Sequence, residues 1–178
     1  VDVEAGDWKM AGAQILPRAV QEPRVPLWVG AKGGPRALRL IARHADGWNT
    51  AWRWTPAAYA ERAQALEAAC EREGRDPASV RRSVGLYLLM GQDQADLVDR
   101  WRALQAWTPG GALDREPLEF NARDTLTGSP ERVHALIEAY ADLGVEEIIV
   151  NAASMPFAVA DVEQLELFAE EIIGAGVG

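Results

Sequence analysis

Cysteine occurs once in this chain of 178 residues, at Cys70. A single thiol excludes a disulfide framework and fits a reducing compartment. Histidine is almost as scarce, with only His44 and His134. Neither shows metal-ligand spacing, and no Ser-His-Asp order or Cys-x-x-Cys pair occurs, so hydrolase and metalloenzyme readings have no support. No apolar run approaches the roughly 18 residues of a membrane span. The N-terminal Val1-Asp2-Val3-Glu4 offers neither the basic flank nor the apolar core of a signal peptide. Positive charge is short as well: 18 Lys and Arg face 27 Asp and Glu, a formal net charge of −9. The basic residues are scattered, which argues against nucleic acid or an anionic membrane as partner. A cytoplasmic protein is the expectation.

Hydrophobic residues make up 48% of the chain and charged residues 25%, enough for one domain with a real core. Pro17, Pro23 and Pro26 hold the first 26 residues as an extended arm. From residue 27 to 178 strands and helices alternate. Leu27-Trp28-Val29-Gly30 is a strand, followed by the glycine turn Ala31-Lys32-Gly33-Gly34-Pro35 and a helix carrying Leu38, Ile41 and Ala42. Pro35 suits the first helical turn, where its missing N–H has no intrahelical partner. A second strand spans 45–51, and Thr55-Pro56 caps a helix running to about Glu73 and stopped by Gly74. Its apolar face includes Tyr59, Ala63, Leu66 and Cys70, the last read as packing. After Asp76-Pro77 a third strand runs from Ser83 to Met90, then a helix from Ala95 to Trp107. Residues 108–126 are an irregular loop, and a loop of that length is usually functional or mobile. Ser129-Pro130 caps the next helix, Val145–Val150 is the fourth strand, and Asp161 opens a final helix. The order β-α-β-α-β-α-α-β-α predicts an α/β fold with a parallel sheet.

Ligands of parallel α/β folds sit at the carboxyl ends of the strands. After the first strand, Gly33 and Gly34 at a helix start bring bare amides and the positive dipole end together, with Lys32 and Arg36 nearby. This is either an anion site or a plain strand-to-helix turn, and it is neither GxGxxG nor a P-loop. After the second strand, Trp52 and Trp54 can wall an apolar pocket and Arg53 can grip a carboxylate or phosphate. The alternative places Trp48 in the core and the other two tryptophans as cover. Asn151, Ser154 and Met155 follow the fourth strand, where turn formation explains the Asn and Ser equally well. Thr127-Gly128-Ser129 is read as capping. His44 at a helix end and His134 on a helix are structural or solvated.

Five segments taken in order resemble the luciferase-like monooxygenase superfamily, in its branch of oxidoreductases that use the deazaflavin coenzyme F420. They are Pro26 to Pro35, His44 to Asn49, Gly74 to Pro77, Thr127 to Val133 and Leu143 to Val150. The resemblance covers roughly residues 15–174. It implies a TIM (β/α)8 barrel of which this chain is the C-terminal half, strands five to eight. A complete barrel usually needs roughly 250 residues. It also implies that Ala31, Lys32, Gly33, Gly34 and Pro35 hold cofactor phosphate, with Asn49 and Thr50 beside them, and that Trp52, Arg53 and Trp54 meet a small organic substrate. The cofactor so implied is F420, with FMN as the alternative, and the activity is hydride transfer or monooxygenation. First-half strands, which carry most catalytic side chains, have no counterpart here, so the isolated chain is expected to be inactive. An open half-barrel is expected to pair with its missing N-terminal half or with a second copy. A catalytically inactive binding or assembly module is the competing reading. A doubly wound nucleotide-binding domain is disfavoured, because the glycine turn lacks its fingerprint.

Overall fold

Two periodicities build the fold, and the strands show the first of them. The coordinates are a computed structural model describing residues 2–14 and 16–174. Four parallel strands, β3 (Trp28–Gly30), β4 (Gly47–Trp52), β5 (Arg81–Met90) and β7 (Glu147–Asn151), are joined in the order β3-β4-β5-β7. Trp48 pairs with Arg82 and Val84 with Ile148, so residues two apart share a face. Val29, Trp48, Val84, Leu86, Leu88, Ile148 and Val150 point into one apolar cluster. Asn49, Ala51, Ser83, Gly85 and Ile149 alternate with them and occupy the opposite face.

The second periodicity belongs to the helices that cover the first face. Helix α1 (Pro35–His44) contributes Leu38 and Ile41, α2 (Pro56–Arg72) Tyr59 and Leu66, and α5 (Pro130–Ala141) Val133 and Tyr140. The expected caps form: the Thr55 hydroxyl accepts from the Ala58 amide at 3.0 Å, and Gly74 ends α2 with φ +66°. Helix α3 (Gln94–Trp107) packs Leu97, Trp101 and Leu104 with Leu89 in a second cluster. Helix α6 (Glu163–Phe168) closes the core with Leu167 and Phe168, and Asp161 reaches it by accepting from the Gln164 amide at 3.1 Å.

Two parts differ from the sequence-based expectation. The arm carries a small antiparallel hairpin, β1 (Val3–Ala5) with β2 (Trp8–Met10), too short to show periodicity. The stretch 108–126 is not wholly irregular. It holds helix α4 (Leu118–Ala122) and leads directly into β6 (Leu126–Gly128), which pairs with Leu88–Met90. The sheet therefore has five strands where four were expected. Hydrogen bonds, not apolar alternation, hold this piece: buried Asn121 donates to the Thr127 hydroxyl at 3.0 Å, and the Thr125 hydroxyl donates to the Asn121 carbonyl at 2.6 Å.

Asp46 fastens the arm to the sheet. Its carboxylate accepts from the Leu27 amide at 2.6 Å and from Arg24 Nη2 at 2.9 Å. The Leu27 hydrogen bond, then the Arg24 guanidinium, hold the carboxyl below its ordinary value of 3.8. A depressed folded-state value gives stabilisation that is complete above the ordinary value and lost as pH falls through the lower one. Asp46→Asn should therefore lower the urea midpoint at pH 7, and the gap to the wild type should close as pH drops below 3.8. A gap that stays constant down to strongly acidic pH contradicts the role given to this carboxylate.

Candidate active site

The loop after β3 is positioned by the core beneath it. Trp48, fully buried and stacked on Tyr59 at 5.6 Å, donates its indole N–H to the Ala31 carbonyl at 2.9 Å, while the Ala31 amide donates to the Asn49 carbonyl at 2.9 Å. Gly33 then turns with φ +76°, and a β-carbon there would lie 3.3 Å from Arg62 and 3.4 Å from Trp48. Gly34 is the N-cap of α1 and brings no capping side chain; Pro35 follows it. The amides of Lys32, Gly33, Gly34, Arg36 and Ala37 find no acceptor among the described residues. Unpaired donors at the positive end of a helix dipole are suited to an anion. The Lys32 ammonium lies 4.9 Å from the centre of the Trp54 ring. Burial lowers its pKa from the usual lysine value, and the Asp124 charge opposes that shift.

A cavity of about 310 Å³ opens beside this loop, across the sheet face that the helices leave bare. Ala31 and Lys32 line one side, Asn49, Thr50 and Trp52 the floor, and Ile149 and Phe157 the far side. Thr50 is buried and its hydroxyl has no partner, whereas Asn49 donates to the Ser83 hydroxyl at 2.8 Å. The Trp52 ring stacks on Tyr87 at 5.5 Å and covers Gly85, where an added β-carbon would meet it at 3.2 Å.

The structure thus gathers Ala31, Lys32, Asn49, Thr50 and Trp52 around one cavity, with Gly33, Gly34 and Pro35 adjoining at the start of α1. Arg53 and Trp54 do not line it. Arg53 has a carboxylate partner within its own chain: it donates to Asp124 Oδ1 at 2.6 Å and to Asn121 Oδ1 at 3.1 Å, between the rings of Tyr87 and Phe120. Trp54 packs against the core, its amide donating to the Asp124 carbonyl at 2.9 Å and its carbonyl accepting from Tyr140 at 2.7 Å. Ser154 contacts the Thr108 hydroxyl at 2.7 Å, and buried Asn151 donates to the Met155 carbonyl at 3.3 Å. His134 lies 3.6 Å from Glu138 on α5, away from the cavity. The sequence reading did not find Asp124, Tyr87 or Phe157. None of them falls in a motif: Asp124 comes in through the folding of the 108–126 stretch, Phe157 through the loop after β7, and Tyr87 through its place on β5 beside Trp52. Among the described residues no acidic, His or Cys cluster is placed to hold a metal, and no helix is long and apolar enough to cross a membrane.

The sequence profile of the luciferase-like monooxygenase family matches residues 2–147. The chain belongs to that family. Among the relatives of this luciferase-like chain, the F420-dependent hydroxymycolic acid dehydrogenase of Mycobacterium tuberculosis is 28% identical over 138 residues, 74% of this chain and 36% of the relative. A phthiodiolone/phenolphthiodiolone dimycocerosates ketoreductase of Mycobacterium kansasii is 35% identical over 71 residues, 40% of this chain and 19% of its own. The F420-dependent tetrahydromethanopterin reductase of Methanopyrus kandleri superposes with a TM-score of 0.69 at 18% identity, over 98% of this chain and 58% of that one. An F420-dependent secondary alcohol dehydrogenase gives 0.71 at 16%, over 97% and 55%. The chain therefore spans little more than half of these solved structures and less of the curated relatives. These likenesses establish the parallel α/β barrel architecture, of which the chain forms part; F420 recurs in the names of these relatives, and one solved neighbour carries a modified FMN.

Arg53 and Asp124 are both partly screened from water, so their coupling should exceed that of a surface pair. A double-mutant cycle with Arg53→Ala and Asp124→Ala, read from urea midpoints, should give a coupling of about 1 kcal/mol. Additive single effects are the contrary result.

Proposed function

We propose that this chain is the cofactor-phosphate half of an F420-dependent oxidoreductase acting on a small organic substrate, with FMN as the alternative cofactor and the cytoplasm as its location. The observation that carries the reading is the set of amides between Lys32 and Ala37 that find no acceptor among the described residues at an uncapped helix start, beside a lysine whose ammonium lies 4.9 Å from a tryptophan ring. The residues fit the group: Gly33 occupies a turn with positive φ, and Gly34 leaves open space where a β-carbon would stand. In this reading the amides of Gly33, Gly34 and Arg36 bind phosphate oxygens, Lys32 adds charge, and the floor of β4 and β5 orients the attached ring. When bound, the cofactor supplies the redox centre; the protein supplies position and electrostatics.

The remaining barrel wall belongs to the proposal too. The sheet face away from the helices combines small or polar residues, Asn49, Ala51, Ser83 and Gly85, with the rings of Trp52 and Tyr87, and Ile149 is 42% exposed there. A complementary N-terminal half or a second copy of the chain would cover this face.

Titration with F420 should give saturable binding, followed by absorbance and fluorescence. Gly34→Asp separates binding from folding: an N-cap carboxylate should stabilise α1 by a few tenths of a kcal/mol, while its charge repels phosphate and lowers affinity at least tenfold. Lys32→Ala should weaken binding roughly three- to tenfold. A protein that binds neither F420 nor FMN overturns the reading and favours the binding module. Light scattering of the 178-residue chain should show self-association, and a folded monomer at every concentration would falsify the pairing with a second copy.

A further inference from the structure

Phe157 is 93% exposed and held at φ +59°, a left-handed conformation that the β-carbon of any L residue disfavours. Both features cost stability, and the fold itself draws little from them: the ring's aromatic contact is the edge of Trp52 at 5.6 Å. Strain and exposed apolar surface retained at the mouth of a cavity point to a ligand. The surroundings say which kind. Trp52 stacks on Tyr87 and lies flat over Gly85, whose missing side chain leaves room for that ring. Arg53, the cation beside Tyr87, is taken up by Asp124 and Asn121. The rim around Phe157 therefore presents rings and Ile149 without a free charge. Lys32 and the bare amides lie at the opposite side of the cavity, since β3 and β7 flank β4 and β5 on either side.

We propose that Phe157, Trp52 and Tyr87 form an apolar recess that takes the hydrocarbon or aromatic part of the substrate, and that Phe157 sets specificity for it. The polarity runs from an anion end at α1 to an aromatic end at Phe157, so the ligand class is an organic molecule with a substantial apolar portion, not a sugar or a small charged acid. This deepens the proposed function and rests on it for the identity of the recess as a substrate site.

The probe is 8-anilinonaphthalene-1-sulfonate, titrated against the protein by its fluorescence. Phe157→Gly removes the ring and relieves the positive φ, so its urea midpoint should stay level or rise while the dissociation constant increases at least fivefold. Phe157→Leu should recover part of the affinity. Trp8→Ser, at a ring 79% exposed on the distant hairpin, should leave the constant unchanged. F420 affinity should change less than twofold in Phe157→Gly, because the phosphate contacts lie at the other end. An unchanged probe constant in Phe157→Gly, or a constant that follows Trp8, overturns the recess whatever the cofactor titration gives. Loss of cofactor binding with Phe157-dependent probe binding intact overturns the redox reading instead.

Discussion

The two-residue alternation along β4 and β5 is the constraint on which everything else hangs. Trp48, Val84, Leu86 and Leu88 share the face buried under α1, α2 and α5, and Asn49, Ala51, Ser83 and Gly85 share the other. A slip of one residue would put asparagine and serine under the helices and tryptophan into the cavity, so the register is strongly specified. Trp48 carries this constraint into the site. Its ring is fully buried against Tyr59, and its one polar atom holds the Ala31 carbonyl. The glycine turn is therefore placed by the core and needs no contacts of its own, which leaves its amides unpaired.

How far the sequence discloses this depends on the length over which each force repeats. Helices α1, α2, α3 and α5 run for ten or more residues, and their spans follow from spacing and from Pro35, Thr55, Ser129 and Gly74. The parallel strands are legible because helices separate them. Short pieces are not: β1, β2 and β6 have three residues each, and one turn of alternation carries no signal. The turn before α1 is legible as a glycine pair before a proline at a helix start. The aromatic wall was legible only in part, because Trp52 directly follows a strand, whereas Tyr87 and Phe157 reach it through the pairing of β5 with β7 and the loop beyond.

Arg53 and Lys32 show why residue type alone does not identify a ligand-binding cation. Both follow a strand, both are basic, and both stand near a tryptophan in the sequence. Arg53 has a planar fork that matches a carboxylate, and the chain supplies that carboxylate from Asp124, with Asn121 and two rings completing its surroundings. An arginine so occupied ties the 108–126 segment to the loop after β4; using it for a ligand would first break a partly buried pair. Lys32 feels the same Asp124 only at a distance, and burial already disfavours its charge. A cation that is partly desolvated, faces a tryptophan ring and adjoins unpaired amides gains more from an incoming anion than one already neutralised. The acid that occupies Arg53 thus concentrates the positive end of the cavity at the start of α1, and leaves the other end to Trp52, Tyr87 and Phe157.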